Sequence, residues 1–597
     1  MKYRWCIEPA QTLLASRLAQ SQKISPLLAQ CLINRGITDE ALVPSFLDPR
    51  LKNLLDPFLL PGMEAAVERL FEAREKSETM VVFGDYDVDG VTATALLIEV
   101  FSQLGWKAHH YLPHRRDEGY GLTADALKHC QTKHQCGLLL AVDCGSNAFD
   151  AISALSRNGV DVIVLDHHEA CHPLPPARAI VNPHAHPNPG GAAGAGAPTP
   201  FLELCSAGLA FKLAHALVKR GREKGIQAAE AYDLRPLLDL VALGTIADVV
   251  PLRGENRVLV AAGLERLGST ARPGLVALKQ IAQCPVKVGV YEAGFHLAPR
   301  LNAAGRLETA EESLDLLRAG SMAEAVAIAG KLNQRNQERQ AIERGILERV
   351  VERVERVFRP EENFVIVEGD PDWHIGVVGI VASRILQKFY RPTIILGGDG
   401  GCLRGSGRSV QGFNLAAALR ECGDLLLRHG GHAMAAGVTI EPGKLEAFRE
   451  RLNGLARASL THETLQPALR VDAEVDLDEI NIASLGALER LRPFGNSNPA
   501  PHFFARGLGH HRPLQRMGAD KQHVKMWVTD GLATHEAVWW GAGEGALPVG
   551  TFDLVFEPSV NYYNGRSTPQ LKVLDWRPSE PGNGTSELEL GTRRTTG

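Results

Sequence analysis

MVVFGDYDVDGVTATALLIEVF, residues 80–101, runs from an apolar strand through three aspartates into an apolar helix. MVVF (80–83) is short and apolar, and TATALLIEVF (92–101) has the composition of a buried helix. Between them GDYDVDG sets Asp85, Asp87 and Asp89 at alternate positions, which share one face of an extended chain. Gly84 and Gly90 supply bends that would wrap the three carboxylates around a cation. Taken alone, the run reads equally well as an Asx turn and a helix cap. An EF-hand is excluded, because no glutamate follows at the required spacing and no entering helix precedes it.

The same pattern returns downstream. GLLLAV (137–142) leads into Asp143, VDVIVL (160–165) leads into Asp166, His167 and His168, and LVALGTIADVVPL (240–252) ends its apolar run at Asp248. Residues just past the carboxyl ends of parallel strands converge on one crevice. Carboxylates crowded in that way repel, and they stay ionised only with cations among them. Oxygen and imidazole donors without thiolate favour Mg2+ or Mn2+ over structural zinc. The donors outnumber the needs of one ion. Two ions about 3.5–4 Å apart, bridged by a carboxylate, suit phosphoryl chemistry.

The chain has 597 residues, of which 45% are hydrophobic and 22% charged, the composition of a soluble globular protein. Its net charge of −5 does not mark a nucleic-acid binder, so any polyanion site must be a local patch. Ten scattered cysteines contain no CxxC pair, which weakens zinc-ribbon and thioredoxin readings and suggests a reducing compartment. The N-terminus MKYRWCIEPAQ has no apolar signal core and no run approaches a membrane span, so a cytoplasmic location without membrane contact is expected.

Residues 1–60 read as a helical lead-in with Pro44, Pro49 and Pro57. The alternation of strand and helix over 61–307 predicts an α/β domain with a mainly parallel sheet, interrupted at 187–200 by a glycine- and proline-rich surface loop. The stretch 308–358 reads as a long connecting helix with a thin apolar stripe. A second α/β domain occupies 359–460, opening with NFVIVEG. Short strand-like runs over 461–577 fit a small β-barrel, and 578–597 is expected to be disordered.

GDYDVDG, VDCG, LDHH and TIADVVPL resemble the four motifs of the DHH phosphoesterase superfamily. PHRRDEGYGL, APRLNAAGRL, WHIGVVGIVASRI, RGSGRS and HGGHAMAAG resemble segments of the RecJ family of single-strand-specific 5′→3′ exonucleases within it. The likeness runs from about 60 to 576. It implies a DHH catalytic domain, a connecting helix, a DHHA1 domain and an OB-fold barrel. It also implies two Mg2+ or Mn2+ ions held by Asp85, Asp87, Asp89, Asp143, His167 and Asp248. Asp143 would be the bridging ligand, Asp87 and Asp89 would reach different ions, and His168 would face the phosphate. Asp85 stays open between ligand and support, and Asp166 would orient a histidine. The catalytic set so implied is Asp87, Asp89, Asp143, His167, His168 and Asp248.

Adjacent glycines in HGGHAMAAG let backbone N–H groups approach an anion, although a tight turn explains them as well. On the family analogy Arg300, Asn302, Arg306, Arg404, Arg408, Gly431 and His432 bind the DNA backbone or its terminal phosphate, and Asn414 helps to hold the 5′ end. Arg115, beside Arg116, precedes Tyr120, a candidate base-stacking residue. In the barrel, Lys521, His523, Lys525, Trp539, Tyr562 and Tyr563 are candidates for a strand-binding face. RPFGNSNPAP (492–501) carries Ser497 where the family commonly has glycine, a departure not expected to touch catalysis. The resemblance further implies a monomer acting on single-stranded DNA, with single-strand-binding protein and a RecQ-type helicase as partners. Relatives that cleave short oligonucleotides, cyclic dinucleotides or pyrophosphate share the metal motifs, and an inactive scaffold is a third possibility. The length and the barrel favour a polymer substrate, and intact acidic motifs favour an enzyme.

Overall fold

The computed structural model describes residues 2–115, 117–185, 201–543 and 545–579. Arg116, the whole of the loop read at 187–200, and the tail beyond Ser579 lie outside the described residues. Two compact units emerge. One joins Pro49–Leu465 with Pro493–Pro499, and the other joins Met1–Asp48, Gln466–Arg492 and Ala500–Gly597.

The first unit opens on an all-parallel five-stranded sheet. Its strands are β1 (Thr79–Phe83), β2 (Lys107–Tyr111), β3 (Leu138–Val142), β4 (Asp161–Leu165) and β5 (Ala179–Val181), in the order β2-β1-β3-β4-β5. LLLAV of β3 is buried along its whole length, as a central parallel strand covered on both faces must be. Helix α1 (Val88–Leu104) comes after β1, and α2 (Ser206–Glu223) and α3 (Leu238–Ala247) pack with it in the same core. The strand order reverses between β1 and β3, so the loops holding Asp85 and Asp143 flank the switch point where α/β sheets bind ligands.

Residues 308–358 form two helices rather than one. A short helix, Glu311–Arg318, precedes α4 (Met322–Val357), whose 36 residues span about 54 Å at 1.5 Å each. The break falls at Ala319-Gly320-Ser321, and the Ser321 hydroxyl accepts from Glu324 N–H to cap α4. Its buried stripe steps by three and four: Ala325, Ala329 and Leu332 join the first core, while Ile346, Val350 and Val354 join a second. Between them the stripe turns polar at Asn336, Arg339 and Glu343. The helix is therefore buried at both ends rather than bridging solvent.

The second α/β domain is a mixed sheet. β6 (Ile366–Asp370) pairs parallel with β7 (Thr393–Asp399), and β8 (Cys402–Arg408), β9 (Leu426–Gly431) and β10 (Ala435–Ile440) add antiparallel, giving β9-β10-β8-β7-β6.

In the other unit, strands at Phe503–Met517, His523–Thr529, Thr534–Trp539, Arg566–Pro578 and Phe552–Tyr563 pair in that order. The last pairs back with the first, which closes a five-stranded barrel. One pairing, Thr534–Trp539 with Arg566–Pro578, is parallel. The N-terminal residues belong to this unit rather than forming a lead-in of their own. Arg4–Ile7 is a strand paired with Ala468–Val471, Tyr3 and Trp5 pack on Leu469, Val471 and Phe504, and Arg35 forms a buried 3.2 Å ion pair with Asp472.

Candidate active site

Each acidic motif reaches the carboxyl edge of the first sheet by its own device. Asp87 is the N-cap of α1, its Oδ1 accepting from Asp89 N–H at 2.9 Å and Gly90 N–H at 3.1 Å. The helix-cap reading of GDYDVDG is thus met at Asp87 while the other two carboxylates are buried among the downstream motifs. Asp89, 1% exposed, has both oxygens taken by backbone donors at the start of α2, Ser206 N–H at 2.7 Å and Ala207 N–H at 2.8 Å. A helix N-terminus is a natural seat for a carboxylate. The Ser206 hydroxyl donates to Asp143 Oδ1 at 2.8 Å. Asp143 itself sits at φ +64°, an uncommon left-handed conformation for a residue with a side chain.

His167 Nε2 lies 3.4 Å from Asp143 Oδ1, 3.5 Å from Asp248 Oδ2 and 3.8 Å from Asp89 Oδ2. Two donor groups result, Asp89-His167-Asp248 and Asp85-Asp87-Asp143, each with its ligand atoms within 4.8 Å of one another. Asp143 also groups with His167 and His168 on the same criterion, so Asp143 and His167 link the two sets.

The residues fit divalent cations. Asp85 Oδ1, His167 Nε2 and Asp248 Oδ2 are buried without any hydrogen-bond partner, an arrangement that costs free energy unless something else satisfies them. Burial, reinforced by the neighbouring carboxylates, holds Asp85 and Asp143 well above the usual carboxylate range and pushes Asp248 up to about 9. Burial lowers His167, leaving a neutral imidazole with a lone pair to offer.

Asp166 supports the two histidines. Its Oδ1 accepts from His168 Nδ1–H at 2.7 Å and from His167 N–H at 2.8 Å, and its Oδ2 accepts from Ser146 N–H at 3.0 Å. Burial opposes its charge, yet these donors outweigh it and hold the carboxyl at about 2. For His168 burial also opposes the charge, and the Asp166 bond and the nearby carboxylates overcome it, raising the imidazole to about 9. His168 is therefore a cation at neutral pH beside the metal ligands. Tyr120 Oη donates to Asp143 O at 3.1 Å and lies 3.3 Å from His168 Nε2, so this tyrosine caps the site and half of it faces solvent.

A pocket of about 290 Å³ opens on Asp85 and Asp87 and is lined by Arg115, Tyr120, Asn302 and Arg306. It meets a cleft of about 1300 Å³ that Arg115, Tyr120 and Arg306 share with Arg404, Ser406 and Arg408. Arg115 stacks on Tyr86, 5.0 Å from its ring centre. Arg306 donates to Gly376 O at 3.2 Å, and its enclosed guanidinium is pulled down to about 10 by burial and then by Arg115. Arg408 donates to Ser406 Oγ and Gly407 O, and burial lowers it too. Arginines crowded against their own charge make a site for an anion. Asn302 braces the first motif by accepting from Val88 N–H at 3.2 Å.

Four expected residues are engaged in local structure rather than in the lining of the cleft. Arg300 donates to Asn333 Oδ1 and His296 O, and does not line the cleft. Asn414 caps the helix Leu415–Glu421 by accepting from Ala417 N–H. In HGGH, His429 and Gly430 line the cleft, whereas Gly431 and His432 make the hairpin turn, with Gly431 at φ +132° and His432 N–H donating to Ala435 O. Trp539 is half-buried while Trp540 is 58% exposed beside His523, and Tyr562 and Tyr563 are exposed.

Other participants escape sequence reasoning. His374 and Arg428 line the cleft. WHIGVVG is the signal for the first, although nothing in that run marks its histidine apart from its neighbours. Asn496 Nδ2 donates to Val249 O at 2.5 Å, and Leu252 N–H donates back to Asn496 O at 2.9 Å. They lock the turn after Asp248, where Val249 is held at φ +61°. Ser497 adopts φ +60°, a conformation glycine takes freely, so this departure from the family pattern lies in a segment that braces a candidate ligand.

Three family models match the chain: the DHH family, N-terminal domain, over residues 79–245, the DHHA1 domain over 361–458, and the RecJ OB domain over 471–575. The single-stranded-DNA-specific exonuclease RecJ of Bacillus subtilis is 37% identical over 97% of this chain and 71% of its own length. That of Haemophilus influenzae is 36% identical over 88% of this chain and 92% of its own length. The crystal structure of RecJ in complex with Mn2+ from Thermus thermophilus superposes with a TM-score of 0.81 at 30% identity, covering 97% of this chain and 80% of the other. A Mg2+ complex of RecJ from that organism gives 0.75 at 29% identity, over 97% and 79%.

Proposed function

Because the chain belongs to the RecJ family of single-stranded-DNA-specific exonucleases, we propose that it shortens single-stranded DNA from the 5′ end, releasing 5′ mononucleotides with two Mg2+ or Mn2+ ions. The observation that carries the reading is the pair of donor groups joined through Asp143, with three buried ligand atoms lacking partners.

Asp89, His167 and Asp248 would hold one ion and Asp85, Asp87 and Asp143 the other, with Asp143 shared. Bound there, the ions supply Lewis acidity and activate water for in-line attack on phosphorus. The protein's own groups do the rest. Asp166 keeps His168 protonated and turned towards the site, where it neutralises charge developing on the phosphoryl oxygens. Arg115, Arg306 and Arg408 bind the phosphate of the strand end, and Tyr120 covers the nucleotide being cut. Arg404, His429 and Gly430 continue the anion-binding track along the cleft. The barrel's exposed Trp540, Tyr562 and Tyr563 offer stacking surfaces for bases. The enzyme works in the cytoplasm as a monomer, alongside single-strand-binding protein and a RecQ-type helicase.

Single-stranded DNA labelled at either end, digested with Mn2+ or Mg2+, tests this reading. Early release of 5′ label as a mononucleotide, abolished by EDTA, is expected. Release only from 3′ ends, or full activity in EDTA, refutes it.

A further inference from the structure

The loop from Leu112 to Leu122 presents Arg115 and Tyr120 to the metal centre, yet neither is anchored by its own helix or strand. What orders the loop is a buried carboxylate whose partners lie outside the candidate ligand set. Glu118 is 8% exposed and accepts from Tyr111 Oη–H at 2.6 Å, from His114 backbone N–H at 2.6 Å and from His129 Nδ1. Its backbone completes the knot: Glu118 N–H donates to His114 O, and Glu118 O accepts from Thr123 Oγ1 at 2.8 Å. Thr123 in turn caps the helix Ala124–Lys133 through Ala126 N–H.

Each partner ties the loop to a rigid element. Tyr111 ends β2 and stacks on Phe83 at the end of β1, with ring centres 5.4 Å apart. Tyr111 O accepts from Gly84 N–H, the first residue of GDYDVDG. His129 belongs to the helix after the loop. Glu118 thus links the end of the sheet, the start of the loop and the helix beyond it. Arg115 lies between His114 and Glu118, and Tyr120 sits between Gly119 and Gly121, at φ +83° and +71°. These conformations leave the chain free to swing unless its preceding residue is pinned.

We propose that Glu118 is a positioning residue, whose buried carboxylate fixes Arg115 and Tyr120 against the metal centre and thereby sets how tightly the enzyme holds its strand. The inference rests on the reading of Arg115 and Tyr120 as substrate-facing. Glu118 borders the cleft, but its carboxylate oxygens are taken up by Tyr111, His114 and His129 and it bonds to no candidate metal ligand. It holds the loop at a geometry that a free loop would have to reach anew at each encounter.

The test compares Glu118→Ala, Glu118→Gln, Arg115→Ala and Glu118→Ala/Arg115→Ala. Steady-state digestion of single-stranded DNA with Mn2+ is measured for each, together with binding of a fluorescent oligonucleotide to the metal-free protein in EDTA. Glu118→Ala should raise KM and Kd by about 10-fold or more and leave kcat within about threefold, as losing a supporting contact does at comparable sites. Glu118→Gln, whose amide oxygen still accepts from two donors, should recover most of that loss. The double variant should be no worse than Arg115→Ala by more than about twofold, since residues acting through one another are not additive. Should Glu118→Ala fail to fold, Tyr111→Phe removes one of the three donors while keeping the ring stack, and should raise KM by a few fold. Unchanged KM and Kd in every Glu118 and Tyr111 variant, or effects that multiply independently with Arg115→Ala, overturn the inference. Wild-type protein that binds the strand but does not cut it would overturn the proposed function instead, and the Kd comparison would still decide the role of Glu118.

Discussion

Asparagine at position 166 should discharge His168 at neutral pH without disturbing the metal ligands. The carboxylate of Asp166 is 2% exposed, and its donors hold it at about 2 against an ordinary value of 3.8. A depression of close to two units corresponds to about 2.5 kcal/mol favouring the ionised form, at 1.36 kcal/mol per unit. The buried end of the pair sets this scale, because the His168 side chain is 39% exposed and water screens its share. The two signs define a window. Asp166 contributes its stability above 3.8 and loses it as pH falls through 2, while His168 contributes fully below 6.5 and loses its part as pH rises through 9. The pair is therefore fully charged between about 4 and 6.5 and still largely so at neutral pH. In Asp166→Asn the single amide oxygen keeps the His167 and His168 backbone bonds and gives up the one from Ser146 N–H; the negative charge is gone, and burial alone lowers an imidazole. His168 should then titrate near or below 6.5 in metal-free protein, monitored by NMR of 13C-labelled histidine. The alkaline limb of kcat should move to lower pH by one unit or more. A His168 that still titrates above about 8 in the asparagine variant would refute the assignment of its charge to Asp166.

Asp143→Asn removes the carboxylate shared by the Asp85-Asp87-Asp143 and Asp143-His167-His168 groups and should lower kcat by about 10³-fold or more, with Mn2+ calorimetry reporting loss of at least one bound ion. Asp248, raised by burial to about 9, holds a proton in the metal-free site at pH 7, so Mn2+ uptake should release protons there and release fewer as pH passes 9, where Asp248 is already losing its proton. Calorimetry in two buffers of different ionisation enthalpy would detect this, and proton-neutral binding at pH 7 would count against it. Asn496→Ala should weaken Mn2+ binding by about 10-fold through the freed Val249 turn, while thermal melting shifts little. Inserting four residues between Asn336 and Glu343 of α4 displaces one half of the helix by about 6 Å and should abolish degradation of long strands more than it lowers helical content. Equal rates on long strands would refute the view of α4 as the spacer between the two α/β domains.

The strands, the helix after GDYDVDG and the acidic tips were legible because local rules govern them. An apolar run of five residues covered on both faces can hardly be other than a parallel strand, and the residue just past its carboxyl end must lie at the sheet edge. The seven metal-site residues all sit at such tips or at a helix end. The cationic residues were harder to read, since an arginine can turn either way along its stem. Arg306 and Arg408 enter the cleft, while Arg300 is drawn off by Asn333.

The chain's own order of residues determined the layered α/β catalytic fold, the barrel and the identity of the candidate ligands. Periodicity and spacing express which face a residue occupies, and every homologous motif stands in line. Only tertiary structure decided which distant groups complete the site. Asp89 is seated by an N-terminus more than a hundred residues away, Asp248 is steadied by Asn496, and Arg4–Ile7 finds its pairing partner at Ala468–Val471. Such partners share no local pattern. They are selected when packing brings two surfaces together and the unpaired polar groups on each must find one another.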